Sequence, residues 1–164
     1  MSYFVIIRGP AGVGKSTISR LLAKKIKAEI IHFDEVMNTL GLDYIPGDKW
    51  IPLNKFLKAD KIKIPEFINK LKKGTNLIID GNFYHKEHIE DIINNLDFPN
   101  KVFTLKADMQ ECIKRDQTRK GELGEQATKD VFKLVSAFDY GIDIDTNKKT
   151  PEEIADEINS ILEE

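Results

Sequence analysis

A chain of 164 residues, 41% hydrophobic and 32% charged, has the length and make-up of one globular domain with its own core. Its formal net charge of −2 gives no global attraction to nucleic acid or membrane, and its single cysteine, Cys112, excludes an internal disulfide and favours a cytoplasmic setting. No apolar run is long enough to span a bilayer, and a strand pattern begins at once, so the expectation is a single soluble domain over residues 1–164 with no signal peptide.

Residues 3–7, YFVII, make a β-branched and aromatic run that suits a buried strand. They lead into GPAGVGKST at residues 9–17, where Gly9 and Gly14 flank four residues and Lys15-Ser16 follow, completing the Walker A spacing G-x-x-x-x-G-K-[ST]. Each part has a physical role. The glycines let backbone N–H groups of Ala11, Gly12, Val13 and Gly14 turn inward as a nest for phosphate oxygens. A helix starting near Lys15 aims its positive end at the same place. Lys15 reaches the β- and γ-phosphates of ATP, the Ser16 hydroxyl is the expected Mg²⁺ ligand, and Thr17 completes the nucleotide site. Ile18, Leu21, Leu22 and Ile26 recur at helical spacing behind the loop, giving strand, loop and helix in order.

Residues 28–33 read as a second strand that ends at Asp34-Glu35. Residues 35–62 carry Gly41, Pro46, Gly47 and Pro52, which break a long helix and predict short pieces and turns; Pro65 then suits the first turn of a new helix. Residues 76–80, NLIID, predict a buried strand with an acid at its end, and residues 85–96 a helix. A fourth strand is expected over 101–105, helices over 108–119 and 126–138 around a Gly121–Gly124 loop, and a fifth strand over 141–145. Thr150-Pro151-Glu152-Glu153 combines an N-cap, an N1 proline and a capping-box acid ahead of the last helix. Alternating strands and helices predict a parallel sheet covered on both faces, with ligands at the carboxyl ends of the strands, where Gly9, Asp34, Asp80 and Asp145 fall.

Asp34, at the end of the second strand, is placed to accept the proton of a hydroxyl that attacks the γ-phosphate; its alternative is to cap the helix that follows. Asp80 closes a Walker B outline and is expected to hold Mg²⁺ directly, through water, or by fixing Ser16. Gly81 follows where motor ATPases commonly place a water-activating glutamate, which favours transfer over hydrolysis. Arg115 and Arg119 share a helical face that runs into the glycine loop, as a lid over about residues 115–127 that clamps the transferring phosphate requires; Asp116 could hold either arginine. His32 reads as structural, His85 and His88 as surface residues, Trp50 as core filler against an alternative place in the acceptor pocket with Lys49 and Lys55, and Cys112 as a small core residue.

With these positions assembled, the chain resembles the small P-loop kinases that phosphorylate a hydroxyl, among them adenylylsulfate, gluconate and shikimate kinases and the polynucleotide and phosphoseryl-tRNA kinases. Residues 78–92, IIDGNFYHKEHIEDI, look like a segment of the last two, which implies a role for Asp80 and for Asn82. Residues 34–43 and 112–116 look like parts of adenylylsulfate kinases, with the acid at the acceptor and Arg115 near the nucleotide. The family's longer substrate segment is missing here. The resemblance implies an α/β three-layer sandwich of the P-loop NTPase type with a five-stranded parallel sheet and a short lid, and places Asp145 and the turn after it near the adenine. The expected activity is ATP- and Mg²⁺-dependent transfer to a hydroxyl of a small metabolite, nucleoside or nucleotide, with an acceptor site over about residues 35–62. A kinase of a nucleic-acid end or aminoacyl-tRNA is the enzyme alternative, kept open by Lys55, Lys58, Lys61 and Lys63. A nucleotide-dependent assembly protein is the alternative of another class.

Overall fold

The computed structural model describes residues 1–46, 50–118 and 123–164. β1 (Phe4–Arg8), β2 (Ala28–His32), β3 (Asn76–Gly81), β4 (Asn100–Lys106) and β5 (Ile142–Asp145) form one five-stranded sheet in the order β2-β3-β1-β4-β5, with every neighbouring pair parallel. β1 is buried along its whole length, because helices cover both faces of its continuous apolar run.

Strand side chains alternate between the faces. Val5, Ile7 and Ile78 pack with Ile18 and Leu22 of α1 (Lys15–Ile26) and Ile158 of α7 (Pro151–Glu163). Phe4, Ile6 and Ile79 pack on the opposite side with Phe33 of α2 (Phe33–Thr39), Phe67 of α3 (Leu53–Lys72) and Ile89 of α4 (Lys86–Leu96). α5 (Met109–Thr118) and α6 (Glu125–Ser136) follow β4. This is the three-layer α/β sandwich that the order of elements predicts. The same alternation puts His32 and Asp80 on the α1 side, and the register sets them opposite each other across β2 and β3.

Two elements differ from expectation. β2 ends at His32, and Phe33 opens α2 with its ring buried in the core, so Asp34 lies inside the first turn and is not the N-cap. α3 is one helix of 20 residues with Pro65 in its interior, not a set of broken pieces followed by a helix from Pro65. An interior proline costs about 3 kcal/mol. Ile64, Phe67 and Leu71, all buried, return about 1.5–3 kcal/mol each by leaving water, so the apolar stripe wins. The carbonyl that Pro65 cannot serve belongs to Lys61, an exposed residue. At the last helix the capping box forms as read: Glu153 N–H donates to Thr150 Oγ1 at 3.1 Å. No helix among the described residues is long and apolar enough to cross a membrane.

Candidate active site

The loop between β1 and α1 is shaped by glycines in the left-handed region. Gly12 has φ +82°, and a Cβ there would lie 2.2 Å from the Cys112 carbonyl oxygen, so the loop lies directly on the backbone of α5. Gly14 takes φ 102° as N-cap of α1. Lys15 Nζ donates to the Gly9 and Pro10 carbonyls, each at 2.9 Å, and to Asn82 Oδ1 at 3.0 Å. Arg115 Nη1 donates to the Val13 carbonyl at 3.1 Å while its Nε is held by Glu111 at 3.2 Å, so α5 anchors the loop from the other side. Cys112 is buried, and burial pushes its thiol up to about 11 although Arg115 and Lys15 pull the other way; it is a core residue, as expected.

Ala11, Gly12, Val13, Gly14, Lys15, Ser16 and Thr17 line a cavity of about 590 Å³, together with Arg115, Asp34 and Asn82. Its volume is large enough for a nucleoside triphosphate. A second cavity of about 210 Å³ lies between Phe33, Asp43, Trp50, Phe83, Tyr84 and His88. Asp34, Asn82 and Leu123 belong to the linings of both. The first turn of α2 therefore presents a carboxylate where the two spaces meet.

Asp80 stands apart from the cavity surface. It is 4% exposed, and His32 Nδ1 lies 2.9 Å from each of its carboxylate oxygens. Ser16 and Asp80 are oxygen donors of the kind Mg²⁺ takes, and no cluster of three or more His, Cys, Asp or Glu competes among the described residues. Ser16 lines the nucleotide cavity, while Asp80 lies behind it, held by His32.

The structure does not bring Asp145 to the nucleotide cavity. Its Oδ1 accepts the Asn147 N–H at 2.9 Å and shapes the turn, and it is Lys149, Pro151 and Ile154, further along, that line the space. Arg119 lies outside the described residues, as does Lys49. Asp116 is buried and its carboxylate accepts the N–H groups of Leu123 and Gly124 at 3.0–3.1 Å, fastening the far end of the glycine loop to α5.

Other expectations need correcting. His88 is not a surface residue: it is 1% exposed and pairs with Asp60 across α3 and α4 at 2.9 Å. His85 is half-buried, bonded to the Ile51 carbonyl at 2.9 Å. Trp50 is half-buried in the wall of the smaller cavity and is not core filler. Sequence reasoning also missed Arg8. Fully buried, it donates to the carbonyls of Phe83 and Val135 and to Thr104 Oγ1, with its guanidinium 4.4 Å from the Phe138 ring centre. It thereby ties β1 to the turn at Phe83, a residue in the left-handed region at φ 48° beside the smaller cavity. Position 8, at the end of the central strand just before the loop, is the signal that could have found it.

Residues 4–138 match the AAA_33 family, described as an AAA domain. The chain belongs to that family of P-loop kinase domains. Among curated proteins the kinase domain is 26% identical over 163 residues to a Pyrococcus furiosus protein named "Putative adenylate kinase", covering 96% of this chain and 83% of that one. It is 27% identical over 180 residues to a "Probable thymidylate kinase" of Methanocaldococcus jannaschii, covering 97% and 95%. Among solved structures, the APS kinase of Mycobacterium tuberculosis, determined with AMPPNP and APS, superposes with a TM-score of 0.68 at 14% identity, covering 99% of this chain and 98% of that one. At that identity the likeness speaks for the fold, which is the fold the sequence predicts.

Proposed function

We propose that this P-loop kinase domain transfers the γ-phosphate of Mg²⁺-bound ATP to a hydroxyl of a small molecule. The observation that carries the reading is the shared wall: one cavity is built on the phosphate loop, the other on α2 to α4, and Asp34 belongs to both. In this reading the loop N–H groups and Lys15 hold the phosphates, and Arg115, with Arg119 from the lid, neutralises charge on the group in flight. Ser16 would hold Mg²⁺, with Asp80 behind it, and the bound ion would supply positive charge against the phosphates. Asp34 accepts the proton as the acceptor oxygen bonds to the γ-phosphorus and the bond to the β-bridging oxygen breaks, releasing ADP. Residues 35–62 and the lid supply the acceptor side.

The test is incubation with ATP, Mg²⁺ and a panel of acceptors, read by mass. Slow hydrolysis that an acceptor converts to phosphorylated product supports the kinase. Hydrolysis stimulated only by a protein partner would favour an assembly protein and sink the proposal.

A further inference from the structure

Arg8 closes β1 one residue before the phosphate loop, and its side chain is fully buried. Alternation along the strand puts it with Phe4 and Ile6, on the face opposite α1. It has room to run outward there, because its neighbours across the sheet are Gly81 on β3 and the small Thr104 on β4. The guanidinium then joins three elements. Nε donates to the Phe83 carbonyl at 3.3 Å, Nη1 to Thr104 Oγ1 at 3.1 Å and Nη2 to the Val135 carbonyl at 2.9 Å. Val135 lies in the last turn of α6, whose carbonyls find no partner inside the helix and whose dipole favours a cation. Burial pulls the guanidinium down to about 10, with Asp139 and Asp143 acting the other way, so it stays charged at neutral pH.

A buried cation is costly, and an apolar side chain could fill the same space. What an apolar side chain could not do is hold three elements in one geometry. Two of them wall the smaller cavity: Phe83 lines it directly, and Val131 lines it from α6, one turn before Val135. Arg8 is absent from the described lining of either cavity and stands behind these walls. The phosphate loop is seated separately, by Gly12 on the backbone of α5 and by Arg115 on the Val13 carbonyl. We propose that Arg8 is a positioning residue for the acceptor: it fixes Phe83 and α6 to the end of β1, and so sets where the smaller cavity stands relative to the phosphate loop. This rests on the phosphotransfer reading and deepens it. A planar fork holds such walls more tightly than a flexible ammonium would. The precision matters, since a reacting group misplaced by about 1 Å can lose about 10²-fold in rate.

The test compares the intact protein with Arg8→Lys, which keeps the charge and gives up the fork. Calorimetry gives the affinity for Mg²⁺-bound ATP, and acrylamide quenching of Trp50, the chain's one tryptophan, reports on the cavity wall. Acceptor kinetics are taken on whichever of adenosine, AMP, thymidine, dTMP, gluconate and shikimate gives product. ATP affinity is expected within about threefold of wild type, quenching raised at least about 1.5-fold, and kcat/KM for the acceptor lowered at least about tenfold. Thr104→Val removes one partner from the fork and is expected to move quenching and acceptor use the same way by smaller factors. It decides the question if Arg8→Lys does not fold. ATP affinity lost in step with acceptor use would make Arg8 a general support of the fold, and unchanged quenching and acceptor use would take it out of the cavity's geometry. Either result overturns the proposal. Product from no compound, with quenching raised and ATP affinity kept, counts against phosphotransfer and still supports Arg8 as the anchor of the cavity walls.

Discussion

His32 Nδ1 stands 2.9 Å from both carboxylate oxygens of Asp80, so the edge strand β2 fixes the acid at the end of its neighbour β3. The parallel register makes the pair, since the two residues lie directly opposite on the α1 face. A carboxylate that is 4% exposed needs such a donor. If Asp80 serves the metal, His32→Ala is expected to raise the Mg²⁺ concentration for half-maximal activity about tenfold, and His32→Asn, which keeps an N–H, to restore part of it. A Mg²⁺ profile unchanged in His32→Ala would remove Asp80 from metal binding.

Lys15 and Asn82 come next in the same argument. The ammonium bridges the loop carbonyls and the residue two places after Asp80, at 2.9–3.0 Å. Lys15→Ala is expected to lower phosphotransfer by about 10²- to 10³-fold with the fold retained by circular dichroism. Asn82→Ala is expected to cost less, about tenfold, since it removes one partner and no charge. Wild-type rates in the lysine variant would take the loop out of the mechanism.

Asp34→Asn separates binding from chemistry. The residue sits in the first turn of α2 with His32 as N-cap, so a capping role does not explain an acid there. The amide is expected to leave ATP affinity within a few-fold and to slow transfer by about 10²- to 10⁴-fold. Transfer that persisted within a few-fold would assign the base to another residue.

What the sequence disclosed and what it hid follow from the range of the interactions. The strand, loop and helix from Phe4 to Ile26 were readable because the motif's spacing and the helix's apolar period are local. So was the capping box at Thr150 and Glu153. The pairs that complete the site join residues 48 apart for His32 and Asp80, and 67 apart for Lys15 and Asn82, and only the strand register brings them together. Arg8 binds partners 75, 96 and 127 residues away, so nothing near it in the chain announces its role. α3 was hidden for the reverse reason: Pro65 is a local breaker, overruled by tertiary burial of the helix face around it. Trp50 lies in the least regular stretch, where no periodicity separates a core residue from a cavity wall.

Gly12→Ala tests the seat of the loop. The added methyl would fall 2.2 Å from a backbone oxygen of α5 at a φ of +82°, so either the loop or the helix must move. A residue forced into that conformation costs about 1–3 kcal/mol. The expected result is a melting temperature lower by several degrees and a large loss of ATP affinity. Unchanged affinity would mean that the loop tolerates a shift away from Cys112.

The last prediction concerns the His88–Asp60 pair beside the smaller cavity. Burial first, and then Asp91, push the Asp60 carboxyl up to about 9 from 3.8, and burial first, with His85, pushes the His88 imidazole down to about 3 from 6.5. Between pH 4 and 6.5 the folded and unfolded pairs hold the same number of protons, one each way, and stability from this source is flat. Above pH 6.5 the unfolded histidine has lost its proton while the folded pair keeps one until about pH 9, so stability falls as pH rises through that window. The loss has an upper limit of about 1.4 kcal/mol per pH unit. Denaturant titrations at pH 6, 7.5 and 9 are expected to show declining stability, and Asp60→Asn, which cannot ionise, to flatten the decline. A stability that rose between pH 6.5 and 9 would mean that the pair carries no extra proton in the folded protein.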